Sequence, residues 1–315
     1  MTNISDIQHN NNTQEINVVT KNVMQWTFLG ITMASFIIYL YIMAAMLSIY
    51  FTSAVARQEV RYVLFGHMLI ADLVYLLLSL FLFFASFYPS TYPAPFCYIF
   101  VLGTSSTLKI APYNLAIMSL ERYIAICFPL RHEELCTLQR AQLAFAIIWA
   151  IGILPNISDI IILILSTDKL FYSQNVICSR TSFLVTPVQN TIRIVAHATT
   201  FSMVGLIIIF TYTKIMLVAF RVDLRKSSAA KAGTTVMLHA IQLLLCMVAY
   251  SYSIFETLLR DYVSVLPMVN FCFFMCLPRF ISPIIYGIRD ELFRKRIKNV
   301  LCCRCQKQYR KQAVS

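Results

Sequence analysis

The feature that most constrains the fold is a series of seven long apolar stretches. A helix that crosses a lipid bilayer needs about 20 mostly apolar residues. The stretches that meet this length are Met24–Tyr50, Tyr62–Tyr88, Phe96–Ile126, Ala141–Thr167, Ile194–Phe220, Ala232–Leu258 and Tyr262–Ile288. They are too long and continuous for the alternating strands of a membrane β-barrel, which are about ten residues long. The sequence therefore predicts an all-α membrane protein, a seven-helix transmembrane bundle over 24–288, between tails at 1–23 and 289–315.

The composition argues against a soluble protein. Hydrophobic residues make up 59% of the chain and charged residues 13%, whereas soluble domains average about 45–50% and about 25%. We find no arrangement typical of a catalytic triad, a phosphate-binding loop or a metal site, so we expect neither an enzyme nor a bound cofactor. A membrane transporter is the alternative class, but the spans lack the repeated, symmetric halves common in transporters.

The basic residues predict the orientation in the membrane. Of the 26 Lys and Arg residues, 19 fall on one side of the membrane, in the loops, the tail and the span ends beside them. Cytoplasmic loops carry such an excess, so we expect the N-terminus outside the cell and the C-terminus inside. The net charge of +12 then lies beside anionic membrane lipid rather than on a nucleic acid.

The two tails carry candidate modification sites. Asn3 and Asn11 each begin an Asn-x-Ser/Thr tripeptide, the acceptor for N-glycosylation. A third tripeptide, at Asn156, lies inside the fourth span and is not expected to be modified. After span seven, apolar residues recur at helical spacing opposite a basic face, which predicts a short amphipathic helix on the inner leaflet. The cysteines that follow it are candidates for palmitoylation: Cys302, Cys303 and Cys305.

Three local motifs sharpen the interpretation. Span three ends in Met-Ser-Leu-Glu-Arg-Tyr-Ile-Ala-Ile-Cys at 118–127, followed by Phe-Pro-Leu-Arg-His at 128–132. Span six opens with Lys-Ala-Gly-Thr-Thr-Val-Met-Leu-His at 231–239, and span seven closes with Ser-Pro-Ile-Ile-Tyr-Gly at 282–287. Together they resemble the signatures of odorant receptors, in the rhodopsin-like class of G-protein-coupled receptors. The resemblance covers about residues 24–300 and is strongest to fish-type receptors.

The resemblance implies a receptor in the plasma membrane, including that of sensory cilia. Such a receptor binds a small organic odorant within the helix bundle and activates a stimulatory heterotrimeric G protein of the olfactory type. The alternative within the same class is a receptor for a non-olfactory small ligand. The chain departs from the family pattern at Glu121, where Asp is usual, and at Ser282, where Asn is usual.

The resemblance also implies a conformational switch at the cytoplasmic end of the bundle. Its central residue is Arg122, held by the carboxylate of Glu121 until the bundle opens toward a G protein. The alternative is an ordinary interfacial arginine that reaches for lipid headgroups. The other residues implied for coupling are Tyr123, Tyr212, His239, Pro283 and Tyr286.

Two cysteines and two charged residues are expected to form pairs. Cys97 and Cys178 both lie on the outer, oxidising side, so we expect a disulfide there, as the resemblance also implies. Asp72 lies in mid-membrane, where an ionisable residue is costly and usually functional. We expect it to pair with Arg279 of span seven. The alternative is that Arg279 reaches away and Asp72 holds a sodium ion, as in related receptors.

The outer half of the bundle is the expected ligand pocket, with mostly apolar walls and few polar groups. Candidate lining residues come from spans three, five and six: Thr104, Ser105, Leu108, Lys109, Arg193, His197, Thr200, Tyr250, Ser251 and Ile254. Lys109 is too deep to remain charged without a partner. Two interpretations of it stay open, an internal ion pair with Asp159 and a counter-ion for an anionic odorant, assisted by Arg193 or His197.

Overall fold

The computed structural model describes residues 4–87 and 90–221, together with residues 241, 244, 245, 271, 276–281 and 283. Its helices and strands are, in chain order, α1 (Ile4–Thr52), α2 (Ala54–Gln58), α3 (Val60–Phe87), β1 (Thr91–Pro93), α4 (Ala94–Cys127), α5 (His132–Leu135), α6 (Leu138–Ser166), β2 (Asn175–Ile177) and α7 (Pro187–Arg221).

Five of these helices are long and apolar enough to cross a membrane. The apolar segments are Trp26–Thr52, Val60–Ala85, Ala94–Cys127, Leu138–Ser166 and Pro187–Val218. They confirm the predicted spans one to five as helices α1, α3, α4, α6 and α7. Most of spans six and seven, and all of the amphipathic helix expected after them, lie outside the described residues.

Two helices begin much earlier than the apolar stretches predict, whereas the other three begin within about three residues of them. Helix α7 starts at Pro187 rather than Ile194, because Thr186 and Gln189 form a capping box. The Thr186 hydroxyl accepts a hydrogen bond from the backbone N–H of Gln189 at 3.4 Å, and the Gln189 side-chain oxygen accepts one from the N–H of Thr186 at 3.1 Å. Helix α1 starts at Ile4 rather than Met24. No proline or glycine precedes Gly30 to interrupt it.

Among the described helices, α4 is central and packs against α3, α6 and α7. Large side chains such as Tyr39, Phe65 and Tyr75 are fully buried between the helices. On the outer faces, apolar side chains are exposed instead; Leu206 of α7, for example, is 68% exposed. An outward-facing apolar surface of this kind is matched by lipid tails rather than by water.

A glycine permits the close contact between α4 and α6. A Cβ atom added to Gly152 would lie 3.2 Å from the backbone oxygen of Ser106. This distance is shorter than an ordinary van der Waals contact, so a larger residue would push the two helices apart.

A short hairpin covers one end of the bundle. Strand β1 pairs antiparallel with β2, with Tyr92 opposite Val176. Cys178 follows β2 directly and is disulfide-bonded to Cys97 in the first turns of α4, which confirms the predicted disulfide. We call this the disulfide end of the bundle, and we call the opposite end of α4 the Arg122 end.

Candidate ligand-binding and coupling sites

A polar cleft lies between α4, α6 and α7 near the disulfide end. It has room for about one water-sized group. The residues that line it are Tyr98, Val101, Leu102, Ser105, Asn156, Asp159 and Arg193. We call this space the α4–α6–α7 cleft. Of the pocket residues predicted from the sequence, it contains Ser105 and Arg193.

The cleft contains a buried ion pair. Nε of Arg193 donates a hydrogen bond to Oδ2 of Asp159 at 2.8 Å, and the two residues are 9% and 4% exposed. Gln189 supports the pair by donating from Nε2 to the backbone oxygen of Asp159 at 3.4 Å. One interpretation of the sequence paired Asp159 with Lys109. In the structure, the carboxylate of Asp159 is paired with Arg193 instead. Arg193 lies two turns into α7, opposite Asp159.

Asn156 joins α4 to α6 within the cleft. Its side-chain nitrogen donates to the hydroxyl of Ser106 at 2.6 Å, and its side-chain oxygen accepts from the hydroxyl of Ser105 at 3.0 Å. Asn156 is 2% exposed, so its place between the two helices leaves no room for a glycan. Because Asn156 and Asp159 are three residues apart on one helix, they share a face.

The other described pocket candidates lie deeper in the bundle or bond to their own helices. Leu108 and Lys109 of α4 are buried. Thr200 accepts a hydrogen bond from the Tyr113 hydroxyl at 3.1 Å, which links α7 to α4. The Thr104 hydroxyl donates to its own helix, and Nδ1 of His197 lies 2.9 Å from the Arg193 backbone oxygen. The span-six candidates Tyr250, Ser251 and Ile254 lie outside the described residues.

A second ion pair lies deep inside the bundle. Nε of Arg279 is 3.3 Å from Oδ1 of Asp72, and both side chains are 5% exposed. The guanidinium carbon of Arg279 also lies 3.7 Å from the centre of the Tyr75 ring. The structure thus brings together the two residues that the sequence paired.

The Arg122 end carries a cluster around one carboxylate. Nε of Arg122 lies 3.5 Å from Oε2 of Glu121, and Nε2 of His132 lies 3.1 Å from Oε1. Glu121 is buried, whereas Arg122 is partly exposed. The ring of Tyr123 packs edge-on against Phe210 of α7. A charged group that is both held by a neighbour and reachable from solvent suits a switch.

The remaining coupling and modification residues are only partly described. Tyr212 packs against the main core and Pro283 is buried. Asn11 lies within the backbone of α1. The residues outside the described part of the chain are His239, Tyr286, Asn3, Cys302, Cys303 and Cys305. Among the described residues, no cluster of three or more His, Cys, Asp or Glu side chains could hold a metal ion.

Sequence reasoning missed three polar residues of these sites. Tyr98 and Asn156 line the cleft, and His132 contacts Glu121. Asn156 had a usable signal, because an amide side chain within an apolar span normally faces protein rather than lipid. Tyr98 had none, since tyrosines are common where spans meet the membrane interface.

Comparison with known proteins identifies relatives with this architecture. The chain is 29% identical over 220 residues to odorant receptor 131-2 of Danio rerio, which covers 66% of this chain and 65% of that protein. It is 25% identical over 201 residues to olfactory receptor 52A1 of Homo sapiens, covering 60% of this chain and 62% of the relative. The chain thus spans slightly less than two thirds of the length of each.

A family match extends over most of the chain. Residues 44–286 match the family described as seven transmembrane receptor (rhodopsin family). The match begins within the first described span, includes the other four, and extends through the stretch predicted as span six to residue 286 of span seven, so the fold is a seven-helix transmembrane bundle. Proteins of this family are receptors rather than enzymes. The chain therefore belongs to the rhodopsin family of seven-transmembrane receptors.

Proposed function

We propose that this chain is an odorant receptor that binds a small organic ligand at the disulfide end and activates a stimulatory heterotrimeric G protein at the Arg122 end. The observation that carries the proposal is that one helix, α4, holds both sites. It contributes Tyr98 and Ser105 to the cleft and Glu121 and Arg122 to the opposite cluster. The names of its relatives, odorant and olfactory receptors, support the olfactory ligand class.

In this proposal the disulfide end faces the outside of the cell. Disulfides persist in oxidising surroundings, which supports an external position for Cys97 and Cys178. The opposite end carries basic residues such as Arg131 and Arg140 in exposed positions, as expected of a cytoplasmic face in the plasma membrane.

The proposed mechanism is a shift between two states of the bundle. A ligand can drive the shift only through a higher affinity for one state than for the other. In the resting state, Glu121 holds Arg122. In the active state, Arg122 leaves that carboxylate and contacts the G protein. The partial exposure of Arg122 limits the cost of moving its charge, and His132 continues to contact the buried carboxylate of Glu121 after Arg122 has left.

Nucleotide exchange on purified stimulatory G protein, in membranes that contain the full chain, tests the proposal. We expect an odorant mixture to accelerate exchange and Arg122→Ala to reduce the accelerated rate at least tenfold. Arg131→Ala is the matched control, because Arg131 is exposed on the same face and should leave the rate unchanged. Equal rates for Arg122→Ala and the parent chain, or exchange on other G protein classes alone, would overturn the proposal.

A further inference from the structure

We infer that the ligand of this receptor is an alcohol, whose hydroxyl group binds in the α4–α6–α7 cleft between the Tyr98 hydroxyl and Oδ1 of Asp159. The inference rests on the proposed function for the existence of a ligand site, and it goes further in naming the chemical class. It departs from the expectation of an anionic odorant.

Two buried polar atoms of the cleft are not satisfied by the protein. Among the residues that the structure describes, neither the hydroxyl oxygen of Tyr98 nor Oδ1 of Asp159 has a hydrogen-bond partner. Asp159 is 4% exposed and lines the cleft together with Tyr98. A buried polar group without a partner costs about 1–3 kcal/mol, and more when it is charged. A ligand group that bonds to both atoms would remove this cost.

Each of the other polar side chains of the cleft already has a partner within the protein. The side chains of Ser105 and Asn156 bond to each other, and Asn156 also bonds to Ser106. Arg193 donates through Nε to Oδ2 of Asp159. A ligand therefore gains most binding free energy from hydrogen bonds to the two unsatisfied atoms, which are the phenol oxygen of Tyr98 and the carboxylate oxygen Oδ1 of Asp159.

The chemistry of these two atoms selects a hydroxyl group. The carboxylate oxygen can only accept a hydrogen bond, whereas the phenol can donate one. An alcohol donates to the first and accepts from the second. An aldehyde or ketone can accept but not donate, so it leaves Asp159 Oδ1 unsatisfied. An ammonium group can donate but not accept, so the phenol hydrogen stays unpaired.

An anionic ligand is disfavoured at this position. Arg193 would have been its counter-ion, but Asp159 already neutralises that guanidinium at 2.8 Å. A ligand carboxylate in the cleft would face the carboxylate of Asp159, and like charges at close range repel strongly in a buried site. The small size of the cleft also disfavours a ligand carboxylate, because the cleft accommodates about one water-sized group. Val101 and Leu102 supply apolar wall beside it.

Binding to the purified full-length receptor in lipid nanodiscs tests the inference without a G protein. The probes are 1-hexanol, hexanal, hexanoate and hexylamine, which share one chain length and differ in the head group. Binding is read as the ligand concentration that gives half of the maximal rise in unfolding temperature. We expect 1-hexanol to act at a concentration at least tenfold lower than each of the other three, because the hydrogen bond to a charged acceptor is worth about 1.5–3 kcal/mol.

Tyr98→Phe tests the second contact. It removes only a hydroxyl that bonds to no described residue, so the receptor itself should stay as stable as the parent. We expect the half-effective concentration of 1-hexanol to rise about threefold to tenfold. Tyr92→Phe is the matched control, since the Tyr92 hydroxyl bonds to Ser90 outside the cleft; it should change nothing.

The outcomes separate this inference from the proposed function. Hexanal, hexanoate or hexylamine binding as tightly as 1-hexanol, or no change with Tyr98→Phe, overturns the alcohol assignment. If 1-hexanol binds as expected but no ligand accelerates G protein exchange, the alcohol site stands and the signalling role fails. If exchange responds to acids alone, the receptor role stands and the alcohol assignment fails.

Discussion

Nε2 of His132 lies 3.1 Å from one carboxylate oxygen of Glu121, while Nε of Arg122 lies 3.5 Å from the other. A single buried carboxylate thus contacts the arginine beside it and the first residue of α5 (His132–Leu135). The loop after α4 and the proposed switch therefore share one negative charge. A change at Glu121 should therefore affect both the loop after α4 and the proposed switch.

Glu121→Gln should raise ligand-free G protein exchange. The neutral amide attracts Arg122 less than the carboxylate does, so the resting state loses a contact that the active state does not use. We expect a rise of about fivefold, which corresponds to about 1 kcal/mol for a partly exposed pair. Exchange in membranes without added ligand measures this. The control is Glu133→Gln, an exposed residue of α5. A basal rate that stays at the parent level would contradict the switch role of Glu121.

Cys136 should react slowly with alkylating reagents, and Glu121→Gln should accelerate the reaction. Burial raises the pKa of the Cys136 thiol, the negative charge of Glu121 raises it further, and Arg140 lowers it. The reactive species is the thiolate, so a lower pKa gives faster alkylation at a fixed pH. Removing the charge of Glu121 lowers the pKa, whereas Arg140→Gln raises it. Mass spectrometry of the peptide containing Cys136, across a pH series, should show half-maximal alkylation move in opposite directions.

Asp72→Asn should destabilise the receptor strongly. It leaves the guanidinium of Arg279 buried without its carboxylate, and breaking a buried pair costs about 3–5 kcal/mol. Neutralising both residues in Asp72→Asn/Arg279→Gln should restore part of the loss. Unfolding temperatures in detergent measure both effects. Glu59→Gln is the control, because its pair with Arg61 is exposed and should contribute less than about 1 kcal/mol.

The same ion pair predicts that the receptor is insensitive to sodium. The positive charge of Arg279 occupies the surroundings of Asp72, so raising the sodium concentration at constant ionic strength should leave agonist affinity unchanged. If sodium lowers agonist affinity in the parent chain and Asp72→Asn abolishes that effect, Asp72 holds the ion and the pair is wrong.

The disulfide between Cys97 and Cys178 should stabilise the disulfide end. It closes a loop with a sequence separation of 81 residues, for which chain entropy gives about 4 kcal/mol. The double variant Cys97→Ser/Cys178→Ser should therefore unfold at a clearly lower temperature and lose ligand binding, since the hairpin above the cleft is released. Cys127→Ser, at a free thiol, is the control. A double variant with parental stability and binding would show that the hairpin is held by packing alone.

The spans could be predicted because each is a continuous apolar run, and the structure places five of them within a few residues at most ends. Counting apolar residues fails where polar residues begin a helix. Helix α7 starts at Pro187 because Thr186 and Gln189 cap it. That signal was present in the sequence, as Thr-Pro-x-Gln, but it is local and polar rather than apolar.

The sites could be predicted less completely, because they depend on how helices are rotated against one another. The sequence shows that Asp159 is buried and needs a partner. It does not show whether Lys109 of α4 or Arg193 of α7 faces it, since the apolar pattern does not fix the rotation of each helix. The pairing of Asp72 was easier to anticipate, because a second mid-membrane charge at Arg279 had few other carboxylates within reach. Tyr98 is found only once the three helices are assembled.

The contact of Gly152 with the backbone of Ser106 restricts the direction in which a bound molecule can extend. Gly152 lies one turn along α6 from Asn156, so the seam between α4 and α6 is closed by main chain directly beside the cleft. No alkyl tail fits through that seam into the surrounding lipid. A guest whose head group sits at Asp159 must therefore project its tail away from this seam, on the side of the cleft that α7 lines.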